Sequence, residues 1–363
     1  MHEIISSYIY AGTEILPEIG NELWEEISKG LDVVGFRAFG SVCKTWNEIT
    51  VRTKEDFLES QSPQVLLKSS NEMDLYYLCD MSRGKNTMVE LHNTSNKSFV
   101  GCTGGYMIFE SKNHHVNFVN PLNRHEIRYA IKSFHFRGQP HHDHIVLATS
   151  LSSKSHVLFA LSNNKREYKV YHSGIGKWYY GVYDVNVTDI AIFRNKVYLV
   201  TSEADFGELK INVADASFAW MPVHHIPNDD SEDLKLIVTN DQLFLVDFVP
   251  AKHLKIYELN FDTMMWIKVG DLGGKALFLG GKGHCAMRRP GKWGHLSNCV
   301  YYLETLPARC CIYSMEAKLI HMIPLVGKSG DQVSSLGWYC PDQCMKVKYL
   351  DMDYEDETIE ENA

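Results

Sequence analysis

Apolar residues change their spacing once along this chain, and the change divides it in two. Over residues 14–50, EILPEIGNELWEEISKGLDVVGFRAFGSVCKTWNEIT, the spacing is helical. Pro17 is suited to open a helix because its missing amide hydrogen would be unpaired there anyway, and Leu23, Ile27 and Leu31 follow at fourfold spacing. Gly30 and Asp32 break that helix, and Phe36, Phe39, Val42, Cys43, Trp46 and Ile49 form a second helical stripe with Gly35 and Gly40 as bends. So short a unit cannot bury both stripes alone, so apolar surface is left for a partner to cover.

From Gln61 to Tyr349 the spacing becomes alternating, with strands parted by polar or glycine-containing turns. Repeating units fall at 104–130, 156–181, 189–223, 234–269 and 294–324, and Trp178, Trp220 and Trp266 end three of them at separations of 42 and 46 residues. That separation approximates one four-stranded propeller blade. Units of this kind bury their faces only by stacking, and radial stacking closes without long exposed edges, so the pattern predicts a β-propeller. About 45 residues per blade gives six blades, with five and seven left open. The three tryptophans are expected as packing between blades. Ring closure is expected from VLLKSS (65–70) paired with the alternating KVKYLDM (346–352).

L-P-E, L-W-E-E-I and F-R-A-F-G-S-V-C-K-T-W resemble the F-box, although LPEIGNELW is longer than the family's usual opening and Ala38 stands where a basic residue is frequent. Together with GGYMIFES, FVNPLNRHEI, DLGGKALFLGGKGHCAM and LSNCVYYLE, they make the chain similar to plant F-box proteins with a DUF295-type propeller, also called F-box/kelch-like or SKIP-like. The resemblance implies an all-α F-box at 14–52, a linker at 53–63, a propeller at 64–350 and a tail at 351–363. It implies a non-catalytic substrate receptor of a Skp-cullin-F-box ubiquitin ligase. In that role Leu16, Pro17, Leu23, Ile27, Val42, Cys43 and Trp46 face or support a Skp-type adaptor, which brings the cullin and RING subunit. The propeller would bind an unidentified protein target. The rival expectation is a propeller enzyme or small-ligand sensor with a helical N-terminal cap.

Composition narrows these readings. Of the formal net charge of −9, seven acidic and no basic residues fall in DMDYEDETIEENA from Asp351 onward. The remainder is nearly neutral and lacks the dense basic stripe that phosphate backbones require, so no nucleic-acid partner is expected. No apolar run is long enough to span a bilayer, MHEIISSYIYAG does not read as a secretory signal, and nine irregularly spaced cysteines fit reduced thiols. A cytoplasmic or nuclear location, without membrane association, is expected.

Residues suggestive of chemistry fail on spacing. LGGKALFLGGKG lacks the Ser or Thr that follows Gly-Lys in a phosphate loop, so its glycines are expected to serve tight turns. In QPHHDH (139–144), near His114 and His115, adjacent histidines on an extended chain point to opposite faces. Cys340 and Cys344 have no second pair, Cys310 and Cys311 are adjacent, and Cys285 beside His284 is not thereby a dyad. No cofactor, metal ion or catalytic group is expected. Because like charges oppose ordering of the tail, removing residues 351–363 should change the unfolding free energy by only a few tenths of a kcal/mol. Thermal denaturation of the truncated chain measures this, and a fall of several degrees would show that the tail is packed.

Overall fold

In a computed structural model the chain divides into two units, Met1–Glu59 and Ser60–Ala363. The structure describes residues 20–31, 33–59, 61–72, 74–81, 85–91, 97–103, 105–111, 115–121, 125–130, 142–149, 156–162, 164–224, 234–239, 242–283, 285–287, 290–327 and 331–340.

Three helices make up the described part of the first unit: α1 (Asn21–Lys29), α2 (Val33–Gly40) and α3 (Lys44–Glu59). Gly20 stands at the start of α1, with Glu22 in its first turn and Lys29 in its last, charges that oppose the helix dipole. Gly30 ends α1, its amide donating to the Ile27 carbonyl. The stripe expected from Phe36 to Ile49 is two helices, because α2 stops at Gly40 and a turn carrying Ser41, Val42 and Cys43 precedes α3. The linker expected at 53–63 is helical through Glu59. Extending the helix lets Phe57 stack on Phe36, with ring centroids 3.8 Å apart and both rings buried.

The second unit is a six-bladed β-propeller, each blade a sheet of four or five strands. Blade 1 contains β1 (Gln64–Ser69), β2 (Leu75–Asp80) and β3 (Lys85–Glu90). Blade 2 contains β4 (Lys97–Thr103), β5 (Tyr106–Ser111), β6 (His115–Val119) and β7 (Glu126–Ala130). Blade 3 contains β8 (His142–Thr149), β9 (His156–Ser162), β10 (Glu167–His172) and β11 (Lys177–Val182). Blade 4 contains β12 (Val187–Phe193), β13 (Lys196–Thr201), β14 (Phe206–Ile211) and β15 (Ala216–Met221). Blade 5 contains β16 (Lys235–Val238), β17 (Leu243–Val249), β18 (His253–Asn260) and β19 (Met265–Lys268). Blade 6 contains β20 (Ala276–Leu279), β21 (Cys285–Met287), β22 (Cys299–Glu304), β23 (Arg309–Ser314) and β24 (Leu319–Pro324). The last strand, β25 (Val333–Tyr339), returns to blade 1, giving the order β25-β1-β2-β3.

Strands in these sheets pair antiparallel except β20 and β22, which run parallel. Six apolar clusters fill the seams between consecutive blades. Middle strands are therefore covered on both faces and read as apolar runs rather than strict alternation, as in the continuously buried Leu243–Phe248 stretch of β17. The repeated tryptophans occupy equivalent strands, β11, β15 and β19, but not equivalent depths. Trp266 is buried, meeting Phe206 of blade 4 edge-on at 5.5 Å. Trp178 is half-buried against the blade 2–3 seam. Trp220, expected as packing between blades, is 48% exposed; its indole lies over Gly207 and touches Tyr183 only at 6.0 Å between ring centroids.

Closure differs from expectation in one partner. β1 is paired along both edges, with β2 on one side and β25 on the other, from Gln64 opposite Tyr339 to Ser69 opposite Val333. No edge of β1 is left for KVKYLDM, a segment that lies outside the described residues. Asp331, just before β25, clamps the start of this pairing by accepting hydrogen bonds from Ser69 Oγ (2.6 Å), Asn71 Nδ2 and Tyr77 OH (3.3 Å). Trp338 reaches across to blade 6, its indole N–H donating to the Leu279 carbonyl at 2.8 Å.

The glycine loop 280–283 follows β20 and lies against β25. The Lys282 amide donates to the Leu336 carbonyl at 2.8 Å, and a Cβ on Gly281, at φ +66°, would stand 2.4 Å from that same carbonyl oxygen. The glycines thus serve backbone-to-backbone approach as well as turning. Gly281→Ala should destabilise the chain by roughly 1–3 kcal/mol, seen as a lower denaturant midpoint. Gly270→Ala, where nothing lies within 4 Å of the added carbon, should leave the midpoint nearly unchanged.

Candidate functional site

The helical unit is held by aromatic side chains. Trp46 of α3 stacks on Phe39 of α2 at 4.3 Å between centroids and meets Trp24 of α1 at 4.4 Å, so one indole joins all three helices. An Arg52–Glu25 ion pair adds a second link between α3 and α1. Around this centre several large apolar side chains stay uncovered: Leu23 is 54% exposed, Val42 62% and Val51 70%.

Of the residues expected to serve the adaptor, Leu16 and Pro17 lie outside the described residues. Trp46 and Ile27 are half-buried, the supporting position, whereas Leu23, Val42 and Cys43 face outward. Val42 and Cys43 do so because they sit in the turn between α2 and α3 rather than on a continuing stripe. Val51 was not anticipated. It falls one turn beyond the residues of the motif, and its only signal is an apolar residue between Thr50 and Arg52 on an otherwise polar stretch of α3.

In the propeller, titratable groups gather at the seams. His156 of β9 is buried, with Nε2 in hydrogen-bond contact with Tyr129 OH of blade 2 at 2.5 Å. Burial first, and then the neighbouring His172, holds its pKa down to about 4, so the ring is neutral. His295 is similarly buried, with Nε2 2.9 Å from Ser62 Oγ, and burial lowers its pKa. Those two side chains face the core of the blade 6–1 seam, where Phe278 and Tyr301 cover the imidazole edge-on. Asp247, buried in β17, accepts from His253 Nε2 at 2.8 Å, and Asp189 of β12 accepts from the Leu236 amide at 2.7 Å, tying blade 4 to blade 5.

The thiols are placed as core groups. Cys299, Cys310 and Cys311 are buried, and burial raises the pKa of each, while Cys79 is pushed up to about 11. Such thiols carry little thiolate at neutral pH and are poor nucleophiles. Among the described residues no group of three or more His, Cys, Asp and Glu side chains could hold a metal ion. The side chains of His141, His142, His144, Cys285 and Cys344 lie outside the described residues. Among those described, no helix is long and apolar enough to cross a membrane.

Residues 75–321, most of the six-bladed ring, match the KIB1-4 beta-propeller family. The chain belongs to that family. No curated protein matches it. Similar solved structures include a quinonprotein alcohol dehydrogenase-like protein from Bacteroides thetaiotaomicron, at 8% identity and a TM-score of 0.40, covering 78% of this chain and 79% of that one. PorZ, a surface component of the type-IX secretion system of Porphyromonas gingivalis, has 8% identity and a TM-score of 0.37, covering 77% and 38%. Citrobacter koseri AztD has 9% identity and a TM-score of 0.35, covering 62% and 58%.

The neutral His156 has a consequence for this family member's stability. A base whose folded pKa lies below its unfolded value near 6.5 makes the unfolded chain the better proton acceptor between the two values. Stability is therefore full at neutral pH and falls as pH drops through 6.5 toward about 4, by roughly 3 kcal/mol from this group. Urea unfolding at pH 7.0 and 5.0 measures the loss, and His156→Gln should reduce the difference between the two.

Proposed function

We propose that the chain is the substrate receptor of a Skp-cullin-F-box ubiquitin ligase. The observation that carries this reading is a small helical unit, bearing the F-box-like residues, that closes on Trp24, Phe39 and Trp46 yet leaves Leu23, Val42 and Val51 uncovered. Exposed apolar side chains on so small a unit are the usual mark of a docking face. The Skp-type adaptor covers that face, with the cullin and RING subunit behind it. The propeller supports the same role as an interaction domain: a rigid ring that presents a protein target. No catalytic group is asked of this chain. It raises the local concentration of target lysines near the ubiquitin carrier, so its contribution is binding and position.

Trp46 is the discriminating residue, since its indole contacts both other helices. Truncating a large packed aromatic costs about 3–5 kcal/mol, comparable to the whole stability of a small unit. Trp46→Ala should abolish co-purification with a Skp-type adaptor while the propeller's thermal transition stays in place. Undiminished adaptor binding by that variant would sink the F-box reading. An adaptor-free wild-type chain that turns over or tightly binds a small molecule would favour an enzyme or sensor instead.

A further inference from the structure

The outer edge of blade 6 differs from the other rims of the ring. β24 pairs with β23 on one side, and among the described residues nothing pairs with its other side. Its residues Leu319, Ile320, His321 and Met322 are consecutively exposed, so both faces of the strand as well as its edge are open. Leu306 (81% exposed) in the β22–β23 turn and Val326 (58%) beyond β24 extend the apolar surface, and the Leu325 amide donating to the Ala308 carbonyl holds that turn against the strand's end. Rim strands ordinarily carry charges that deter pairing. β7 has Glu126 and Arg128, β11 has Lys177 and β19 has Lys268, while β15 is uncharged but exposes the small Ser217 and Ala219 beside Trp220. β24 has no such guard: its only ionisable residue is His321.

We propose that β24 is a docking edge for an extended, uncharged segment of the target protein, which adds to blade 6 as a further strand. This rests on the receptor reading and names the chemistry of its target. Charge decides the character of the segment. The ions flanking the edge are satisfied internally, Glu316 by Lys318 and Glu304 by Arg309, whose guanidinium also donates to Met322 Sδ at 3.4 Å. Their opposite signs leave the edge without a net charge to attract a charged ligand, whereas backbone groups and apolar side chains on both faces suit a strand with alternating apolar residues. Size decides against a second copy of this chain. A six-residue edge is roughly 20 Å long, and another convex rim meeting it along that line falls short of the roughly 1,200 Å² of a stable interface. A single extended segment can instead wrap the edge and reach Leu306 and Val326.

The test uses the full chain and a fluorescent eight-residue peptide of alternating valine and threonine with blocked termini. Saturable binding is expected by anisotropy, with slowed hydrogen exchange at the amides of Leu319–Ile323. The same peptide N-methylated along one edge should bind at least tenfold more weakly, as should a glutamate–threonine peptide. Ile320→Lys should cost a similar factor, and Met322→Thr, a milder change with the melting temperature as a folding control, should weaken binding severalfold. Unprotected β24 amides, equal binding by the N-methylated peptide, or concentration-dependent dimerisation lost on Ile320→Lys would overturn the proposal. If the chain still co-purifies with a Skp-type adaptor when peptide binding fails, only the docking edge is refuted; if adaptor binding fails while the edge binds peptide, only the receptor reading is.

Discussion

The hydrogen bonds between Gln64–Ser69 and Val333–Tyr339 decide whether the large unit is a ring or an open fan of blades. Blade 1 is assembled from both ends of the propeller sequence, so its inner strand is absent until the last segment arrives. Most other contacts depend on that pairing indirectly. With β25 in place, Trp338 and Cys340 join the apolar cluster between blades 6 and 1, and the glycine loop gains the Leu336 carbonyl as an acceptor. Without it, that seam would face water and the two terminal blades would be edges of the kind a closed propeller removes.

The same logic explains where polar side chains cross-link the ring. Asp331, Asp189 and His156 each hold a hydrogen bond that joins parts of the ring distant in sequence or belonging to different blades. Buried polar groups left unpaired would oppose folding, so each bond favours the one arrangement that satisfies it. The ring is thus specified by apolar clusters that supply stabilisation and by a few polar contacts that fix the fit between neighbours.

Much of this was legible in the residues. Blades 2 to 6 follow from strand-length apolar runs parted by turns, and the tryptophans marked equivalent outer strands in blades 3 to 5. What the spacing could not convey is depth: Trp178, Trp220 and Trp266 share a place in the repeat, yet neighbouring blades cover them differently. The closing strand was misplaced for a related reason. KVKYLDM alternates more cleanly than VSSLGWY, whose pattern is interrupted by two serines and by Gly337, a residue required where the glycine loop crosses. In the helical unit Val42 and Cys43 matched a helical stripe, but Gly40 ended α2 first and turned them outward. The apolar edge of β24 gave no signal of its exposure, because LIHMIP reads like any buried strand.

Closure also sets an order of events during synthesis. The two strands that meet are separated by more than 260 residues, a loop whose ends are slow to find one another. A ribosome emits about 5–20 residues each second, so β1 emerges many seconds before β25 exists. Throughout that interval Leu66 and Leu67 lie on a strand with one open edge, a template for pairing with other nascent chains. Blades 2 to 6 draw all their strands from consecutive sequence and can assemble meanwhile, and the chain's exposure to misassembly is concentrated in blade 1 until β25 has been made.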